Sequence, residues 1–378
     1  MQQNLSFLIK PASGSCNSRC RYCFYEDETE HPSKKNMGMM TSETVDYLID
    51  EAYRQVMPHG NISFAFQGGE PTLAGVSFFR RFVEQAKRKK PADVTLAFSI
   101  QTNGTLLDKQ WAVFLKRENF LVGISLDGFK EAHDGSRRTP QGKGTWNLVR
   151  RNVSMLQKQG VAVNALCVVT AQVANHPQLA YQELKKLGFP YMQFIACMDP
   201  LGVPRGRMPW SLTPQAYGAF LCRIFDLWYA DWQQGQYRSI RLFDDYVHAL
   251  LGDGESTCST CGKCGAYFVV EGDGSVYPCD FFVMDAWKGG VLGVDHLSDI
   301  VHSEPFGRFL AMGEQKPAPC ARCQWRKLCN GGCQNDWIQT PDGPQNYFCQ
   351  SFQMLFEHNS QRIQNIAQAE WRARCGLR

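Results

Sequence analysis

The chain has 378 residues, 44% hydrophobic and 20% charged, the composition of a folded globular protein long enough for two domains with cores of their own. A formal net charge of +4, with no block of like charges and no run of eighteen apolar residues, argues against nucleic acid and against a membrane as partners. The opening "MQQNLSFLIK" lacks a basic segment followed by a long apolar one, so a cytoplasmic location is expected, and in a reducing compartment sixteen cysteines are metal ligands or reactive groups rather than disulfides.

In chain order, short apolar runs predict strands at 5–10 (LSFLIK), 63–66 (SFAF), 95–102 (TLAFSIQT), 121–126 (LVGISL), 162–169 (AVNALCVV) and 191–197 (YMQFIAC). Helical patterns separate them. Thr41 caps a stripe of Val45, Leu48, Ile49, Ala52 and Val56, and Val149, Val153 and Leu156 form a later one. Six strand–helix units predict an α/β fold with right-handed crossovers, a partial (β/α)6 TIM-like barrel whose chemistry gathers at the carboxyl ends of the strands. Past those ends stand "CNSRCRYCFY", "QGGEP", "QTNGT", "SLDG" with Arg137 downstream, and "CMDP".

The first of these loops holds Cys16, Cys20 and Cys23. A structural zinc ion wants four ligands, and Asp27 or His31 would complete a Cys3Asp or Cys3His set of uncommon spacing. Three thiolates can instead hold three irons of a cubane iron–sulfur cluster and leave the fourth iron open. Gly68 and Gly69 would let backbone approach a ligand, and Glu70 offers a carboxylate. Nine more cysteines fall between Cys258 and Cys349, including a Cys320–Cys323 pair of the kind zinc ribbons also use. Within this half "YFVVEGDGSVYPC" reads as a hairpin turning at Gly-Asp-Gly, which delivers Cys279 and Asp280 together. Cys167, Cys197 and Cys222 lie in strand or helix patterns and read as small core hydrophobes.

Cys16-x3-Cys20-x2-Cys23 followed by Phe24 and Tyr25, with "GGEP" after the second strand, resembles the radical S-adenosylmethionine enzymes. The resemblance implies S-adenosyl-L-methionine chelated at the open iron and cleaved to a 5′-deoxyadenosyl radical. It implies cofactor contacts at Tyr22, Gly68, Gly69, Glu70, Ser125, Arg137 and Met198, with Glu70 accepting from the ammonium and Arg137 clamping the carboxylate. Met198 reads equally well as packing. Cys258-x5-Cys264-x9-Gly274-x4-Cys279, then Cys320-x2-Cys323-x5-Cys329-x3-Cys333, then Cys349, resembles the SPASM extension of such enzymes. That likeness implies two auxiliary clusters, one on Cys258, Cys264, Cys279 and Cys333 and one on Cys320, Cys323, Cys329 and Cys349, for three [4Fe-4S] clusters in all. It leaves Cys261 and Cys375 without a role. The implied organisation is a radical enzyme barrel over 1–234 and a small cysteine-rich α+β SPASM domain over 235–378 that ends in a helix.

"LIKPASGSCN", "FAFQGGEPTLAG", "SIQTNGTLLD", "DGSVYPCDFFV" and "LCNGGC" together resemble an anaerobic sulfatase-maturating enzyme from about residue 5 to about residue 355. The family oxidises a cysteine or serine in a Cys/Ser-x-Pro/Ala-x-Arg segment of an unfolded or nascent sulfatase to Cα-formylglycine without oxygen. The likeness implies an electron donor such as flavodoxin or ferredoxin and a monomer. Asp280, beside Cys279 and among the aromatic side chains of "CDFF", is then the expected general base. Two other classes remain open from the sequence: a SPASM enzyme that builds a thioether, epimerises a residue or forms a peptide cofactor, and a non-enzymatic metal or redox module.

Overall fold

Phe7, Phe64 and Phe98 occupy matching positions of three parallel strands, β1 (Gln2–Ile9), β2 (Val56–Phe66) and β3 (Thr95–Thr102). Their rings follow one another at 5.8 and 6.0 Å, and Phe82 of the helix Gly75–Lys89 meets Phe64 edge-on at 5.1 Å, so this face carries the helices. A strand alternates its faces, and Ser6, Leu8, Ser63, Ala65, Ala97 and Ser99 therefore share the opposite, smaller-residue face. The ladders run one residue past the strands: the Gln67 N–H donates to the Ile9 carbonyl at 2.9 Å and that of Lys10 to the Val270 carbonyl at 2.8 Å. Lys10 and Gln67 thus end on the face that bulky side chains have left clear.

The computed structural model describes residues 1–25, 36–200, 203–253, 257–265 and 267–376. Asp27 and His31, the candidate zinc ligands, lie outside the described residues. The chain packs as two compact units that interleave in sequence, Met1–Leu126, His133–Asn164 and Gly265–Leu310 in one and Asp127–Ala132, Ala165–Cys264 and Ala311–Arg378 in the other.

In the first unit β4 (Leu121–Ser125) extends the sheet beyond β3, with Ile100 opposite Val122. On the other edge the strand Phe268–Val270 runs parallel to β1, with Phe268 opposite Phe7, and folds back on Ser275–Tyr277. The Gly-Asp-Gly hairpin is present as the sequence predicts. Its attachment to β1 is not predictable from local pattern, because parallel partners distant in sequence leave no turn signal between them. Thr41 caps the helix Ser42–Gln55, accepting from the Thr44 N–H at 3.1 Å, and Val45, Leu48, Ile49 and Ala52 are buried along it. Val56 departs from the expected stripe: its extended backbone opens β2. That strand starts seven residues earlier than expected, since an irregular register against β1 between Gln2 and Asn4 accommodates Pro58, His59 and Gly60. In the helix Trp146–Lys158 the stripe Val149, Val153 and Leu156 is buried as expected.

In the second unit residues Ala165–Val169 of β5 (Ala162–Val169) pair in parallel with β6 (Tyr191–Ala196), with Cys167 opposite Phe194, and β6 pairs with Ser239–Ile240. Cys167 and Cys197 are buried core residues as expected, and Cys222 is a half-buried helical thiol pushed up to about 11 by burial. The C-terminal helix Cys349–Arg374 packs along the helix Pro214–Gln233, where the Ser351 hydroxyl donates to the Pro214 carbonyl at 2.6 Å. Among the described residues no helix is long and apolar enough to cross a membrane.

Candidate functional site

The loop after β1 is shaped around its cysteines. Cys20 lies in a two-residue strand, Arg19–Cys20, whose partner is Arg137–Arg138, with Cys20 opposite Arg137. N–H groups face the sulfurs: Ser18 donates to Cys16 Sγ at 3.4 Å, Asn103 Nδ2 lies 4.0 Å from it, and an Arg137 guanidinium nitrogen lies 3.9 Å from Cys20 Sγ. Burial pushes the Cys16 thiol up to about 11, so it is neutral when nothing is bound, and iron would have to displace its proton. Donors aimed at sulfur fit the thiolates of a bound cluster. Arg137 also stands 5.4 Å over the Tyr22 ring, which joins two of the expected cofactor contacts.

Gly69 explains the pair that follows β2. With φ at +48°, a Cβ there would lie 2.2 Å from the Ser15 carbonyl oxygen, so only glycine lets this loop close on the cysteine loop. The Glu70 N–H donates to that same carbonyl at 2.8 Å. The Glu70 side chain also ties neighbouring loops together. It is 1% exposed, and its carboxylate accepts from the N–H and hydroxyl of Thr72, from the Thr102 hydroxyl at 2.7 Å and from the Asn103 N–H at 2.8 Å. Three of these donors fall on Oε1 and one on Oε2, so the side chain braces the loops after β2 and β3 through Oε1 while Oε2 keeps accepting capacity. Ser125 is buried at the end of β4.

Asp280 is no solvated turn residue: it is 3% exposed at the start of the short helix Asp280–Phe282 that follows the hairpin. Its Oδ2 accepts from the Tyr25 hydroxyl at 2.6 Å and from Gln67 Nε2 at 3.0 Å, while Gln67 Nε2 also reaches the Tyr25 oxygen at 2.6 Å. Its Oδ1 faces Lys10 Nζ at 3.1 Å, an ion pair that lacks the direction of a hydrogen bond. Lys10 is itself 2% exposed and lies 3.2 Å from Glu271 Oε1, so one buried ammonium faces two buried carboxylates. Phe281 stands against Phe24 at 5.2 Å, and Phe282 against Phe309 at 5.2 Å, which limits water around the carboxylate. Sequence reasoning missed Lys10, Gln67 and Glu271; a lysine closing an otherwise apolar strand was the available signal.

In the second unit Cys320, Cys323, Cys329 and Cys349 line one cavity of about 50 Å3 with Trp325, Arg326, Phe352 and Phe356. Among the described residues no three His, Cys, Asp or Glu side chains form a group suited to a single metal ion. Four thiols on the walls of a shared cavity, with a buried Trp325 indole N–H that has no partner among the described residues, fit a cluster that offers sulfur acceptors. Burial pushes the Cys329 thiol up to about 12. Cys258 and Cys264 are both raised by burial and are close enough to Cys261 to feel its charge; Cys333 stands in the same unit, Cys279 in the other. Cys279 Sγ lies 3.7 Å from the Tyr267 hydroxyl. Met198 Sδ lies 3.1 Å from Asn335 Nδ2, and the next residue, Asp199, accepts from the Gly206 N–H at 2.8 Å, which pins the loop after β6.

Two family descriptions match the chain, "Radical SAM superfamily" over residues 11–188 and the SPASM "Iron-sulfur cluster-binding domain" over residues 261–324. A cysteine-type anaerobic sulfatase-maturating enzyme of Clostridium novyi (strain NT) is 41% identical over 367 residues, 97% of this chain and 98% of that protein. A serine-type anaerobic sulfatase-maturating enzyme of Bacteroides thetaiotaomicron is 32% identical over 373 residues, 94% of this chain and 89% of that protein. The solved structure of native anSMEcpe with bound AdoMet and Cp18Cys peptide matches with a TM-score of 0.91 at 38% identity, covering 97% of this chain and 99% of that one.

Proposed function

The chain belongs to the anaerobic sulfatase-maturating enzymes of the radical S-adenosylmethionine superfamily, and within that family we propose that Asp280, aimed by Lys10, Tyr25 and Gln67, is its general base. It is an oxidoreductase that converts a side chain of a sulfatase to Cα-formylglycine, using S-adenosyl-L-methionine and [4Fe-4S] clusters. The observation that carries the residue assignment is the buried Asp280 carboxylate, delivered by the hairpin to the ends of β1 and β2.

Cys16, Cys20 and Cys23 hold the first cluster, Cys258, Cys264, Cys279 and Cys333 one auxiliary cluster, and Cys320, Cys323, Cys329 and Cys349 the other. The four-thiol cavity supports the last set, the radical-enzyme match over 11–188 takes in the first, and the match over 261–324 takes in Cys264 and Cys279 of the second. Tyr22, Gly68, Gly69, Glu70, Ser125, Arg137 and Met198 surround the cofactor, with Glu70 on its ammonium and Arg137 on its carboxylate. When bound, these groups supply a 5′-deoxyadenosyl radical that takes one hydrogen atom from Cβ and an acceptor for one further electron. What remains for the protein is the proton on the substrate sulfur or oxygen, and the Asp280 carboxylate accepts it; serine then stands at the aldehyde, whereas cysteine stands at a thioaldehyde that water hydrolyses to the aldehyde with release of hydrogen sulfide. Lys10 holds Oδ1, Tyr25 and Gln67 hold Oδ2, and the rings of Phe24, Phe281 and Phe282 keep bulk water from competing.

Cysteine is the preferred target, because its thiol gives up a proton far more readily than a hydroxyl and the cysteine-type relative is the more similar of the two compared. The division at 234/235 into barrel and SPASM domain follows the order of the two family matches. The first cluster needs a low-potential one-electron donor, a flavodoxin or ferredoxin, and the enzyme works as a cytoplasmic monomer. The test is anaerobic reconstitution with a Cys-x-Pro-x-Arg peptide, its serine counterpart, S-adenosylmethionine and dithionite, followed by mass spectrometry. An aldehyde at the cysteine position supports the reading; a thioether or an epimer without aldehyde would overturn it.

A further inference from the structure

Gln334 directly follows Cys333, and it is 7% exposed with neither its Nε2 nor its Oε1 paired to any described residue. Buried polar groups are nearly always partnered, so an amide with both ends unmet points to a partner of another kind. The surroundings say which. A Cβ on Gly313 would lie 2.7 Å from Cys264 Sγ and 3.7 Å from Gln334 Oε1, so the sulfur and the amide flank one point. Gln334 therefore follows one cysteine in sequence and lies near another in space, both assigned above to the same auxiliary cluster. Since neither amide atom has a partner, turning Nε2 towards that cluster sacrifices no hydrogen bond.

We infer that the Gln334 side-chain amide donates a hydrogen bond to sulfur of the auxiliary cluster held by Cys264 and Cys333, and that it raises the reduction potential of that cluster. The physical reason is that reduction adds negative charge to the cluster, and a donor on its sulfurs stabilises the reduced form more than the oxidised one. The chemistry assigned to this enzyme delivers one electron from the substrate per turnover, and a higher potential at the receiving cluster favours that delivery. The inference rests on the ligand assignment under the proposed function.

The experiment uses the full chain with Cys16, Cys20 and Cys23 changed to Ala, leaving two auxiliary clusters and about eight irons. If this parent holds only about four irons, the ligand assignment fails and the inference falls with it. With about eight, potentiometric titration followed by EPR gives two midpoints. Adding Gln334→Met should lower one of them by a tenfold shift in the one-electron equilibrium, about 59 mV, and leave the other in place. Two unmoved midpoints with full iron content would overturn it. Should the Met variant lose iron, the parent labelled with side-chain 15N-glutamine decides: a nitrogen coupling to the reduced cluster, absent in Gln334→Glu, supports the hydrogen bond, and no coupling overturns it.

Discussion

Lys10 Nζ stands 3.1 Å from Asp280 Oδ1, joining the end of the first strand to a residue 270 positions later, with both residues at most 3% exposed. Glu271 shares the same ammonium at 3.2 Å. Removing the cation would leave two carboxylates buried together, and breaking a buried pair from one side costs about 3–5 kcal/mol. Lys10→Met should lower the unfolding free energy of the cluster-free protein by about that amount in denaturant titration. Adding Glu271→Gln should restore part of it, because one of the two stranded charges is then gone. A double variant no more stable than the single one would show that Glu271 does not share the charge.

Tyr25 and Gln67 both donate to Oδ2 of Asp280, at 2.6 and 3.0 Å. Without the Tyr25 hydroxyl the carboxylate can turn towards Lys10 and lose its aim at the substrate. Tyr25→Phe is expected to keep 5′-deoxyadenosine formation and to lower formylglycine production about tenfold, the scale of one hydrogen bond to a charged group. The ratio of nucleoside to aldehyde, read by chromatography and mass spectrometry, should rise accordingly. A Phe variant that oxidises peptide faster than the parent would show that Tyr25 restrains the base.

The strand–helix order, the first cysteine loop and the hairpin were legible because each is local: period-two and helical stripes, three thiols in eight residues, Gly-Asp-Gly between apolar runs. Asp280 was legible only beside Cys279, and what holds it was not. Lys10, Gln67 and Asp280 meet because Phe268–Val270 pairs with β1, a parallel contact between distant segments that no short window of sequence encodes. The bracing role of Glu70 was hidden for the same reason. Its donors Thr102 and Asn103 come from the next strand's end, which the sequence of its own loop does not show.

Gly69→Ala tests the closure of that loop. The added Cβ would meet the Ser15 carbonyl at 2.2 Å and the Ser13 carbonyl at 2.7 Å, both backbone atoms that cannot move without carrying Cys16. The first cluster should be lost or labile, with iron after reconstitution falling from about twelve to about eight per chain while the auxiliary signals persist. Full iron content with normal cofactor cleavage would show that the loop has slack.

Replacing Cys16, Cys20 and Cys23 together by Ala should abolish 5′-deoxyadenosine formation under dithionite, because the other eight assigned cysteines leave no open iron for the cofactor. Cys261→Ala, by contrast, should be nearly silent. Its thiol lies close to Cys258 and Cys264, yet the family pattern does not use it. Loss of about four irons in the Cys261 variant would make it a ligand and displace one of its neighbours from the assignment.

Asp280→Asn separates the two halves of the chemistry. Oxidising a cysteine or serine side chain to the aldehyde level removes a hydrogen atom from Cβ, a proton from the heteroatom and one further electron, and only the first depends on cofactor cleavage. Asn keeps the shape and can still accept from Tyr25 on its amide oxygen, but its nitrogen cannot take the proton. Placing the amide NH2 against Lys10 sets donor against donor, whereas placing it against Tyr25 and Gln67 loses both of their hydrogen bonds, so some loss of stability is expected as well. The variant should hold the same iron and form 5′-deoxyadenosine, while formylglycine falls roughly 10²-fold or more, the usual scale for a lost general base. Stability measured on the same samples distinguishes a lost base from a lost fold. Near-normal peptide oxidation by Asp280→Asn would return this carboxylate to a purely structural partner of Lys10 and leave the proton to another acceptor.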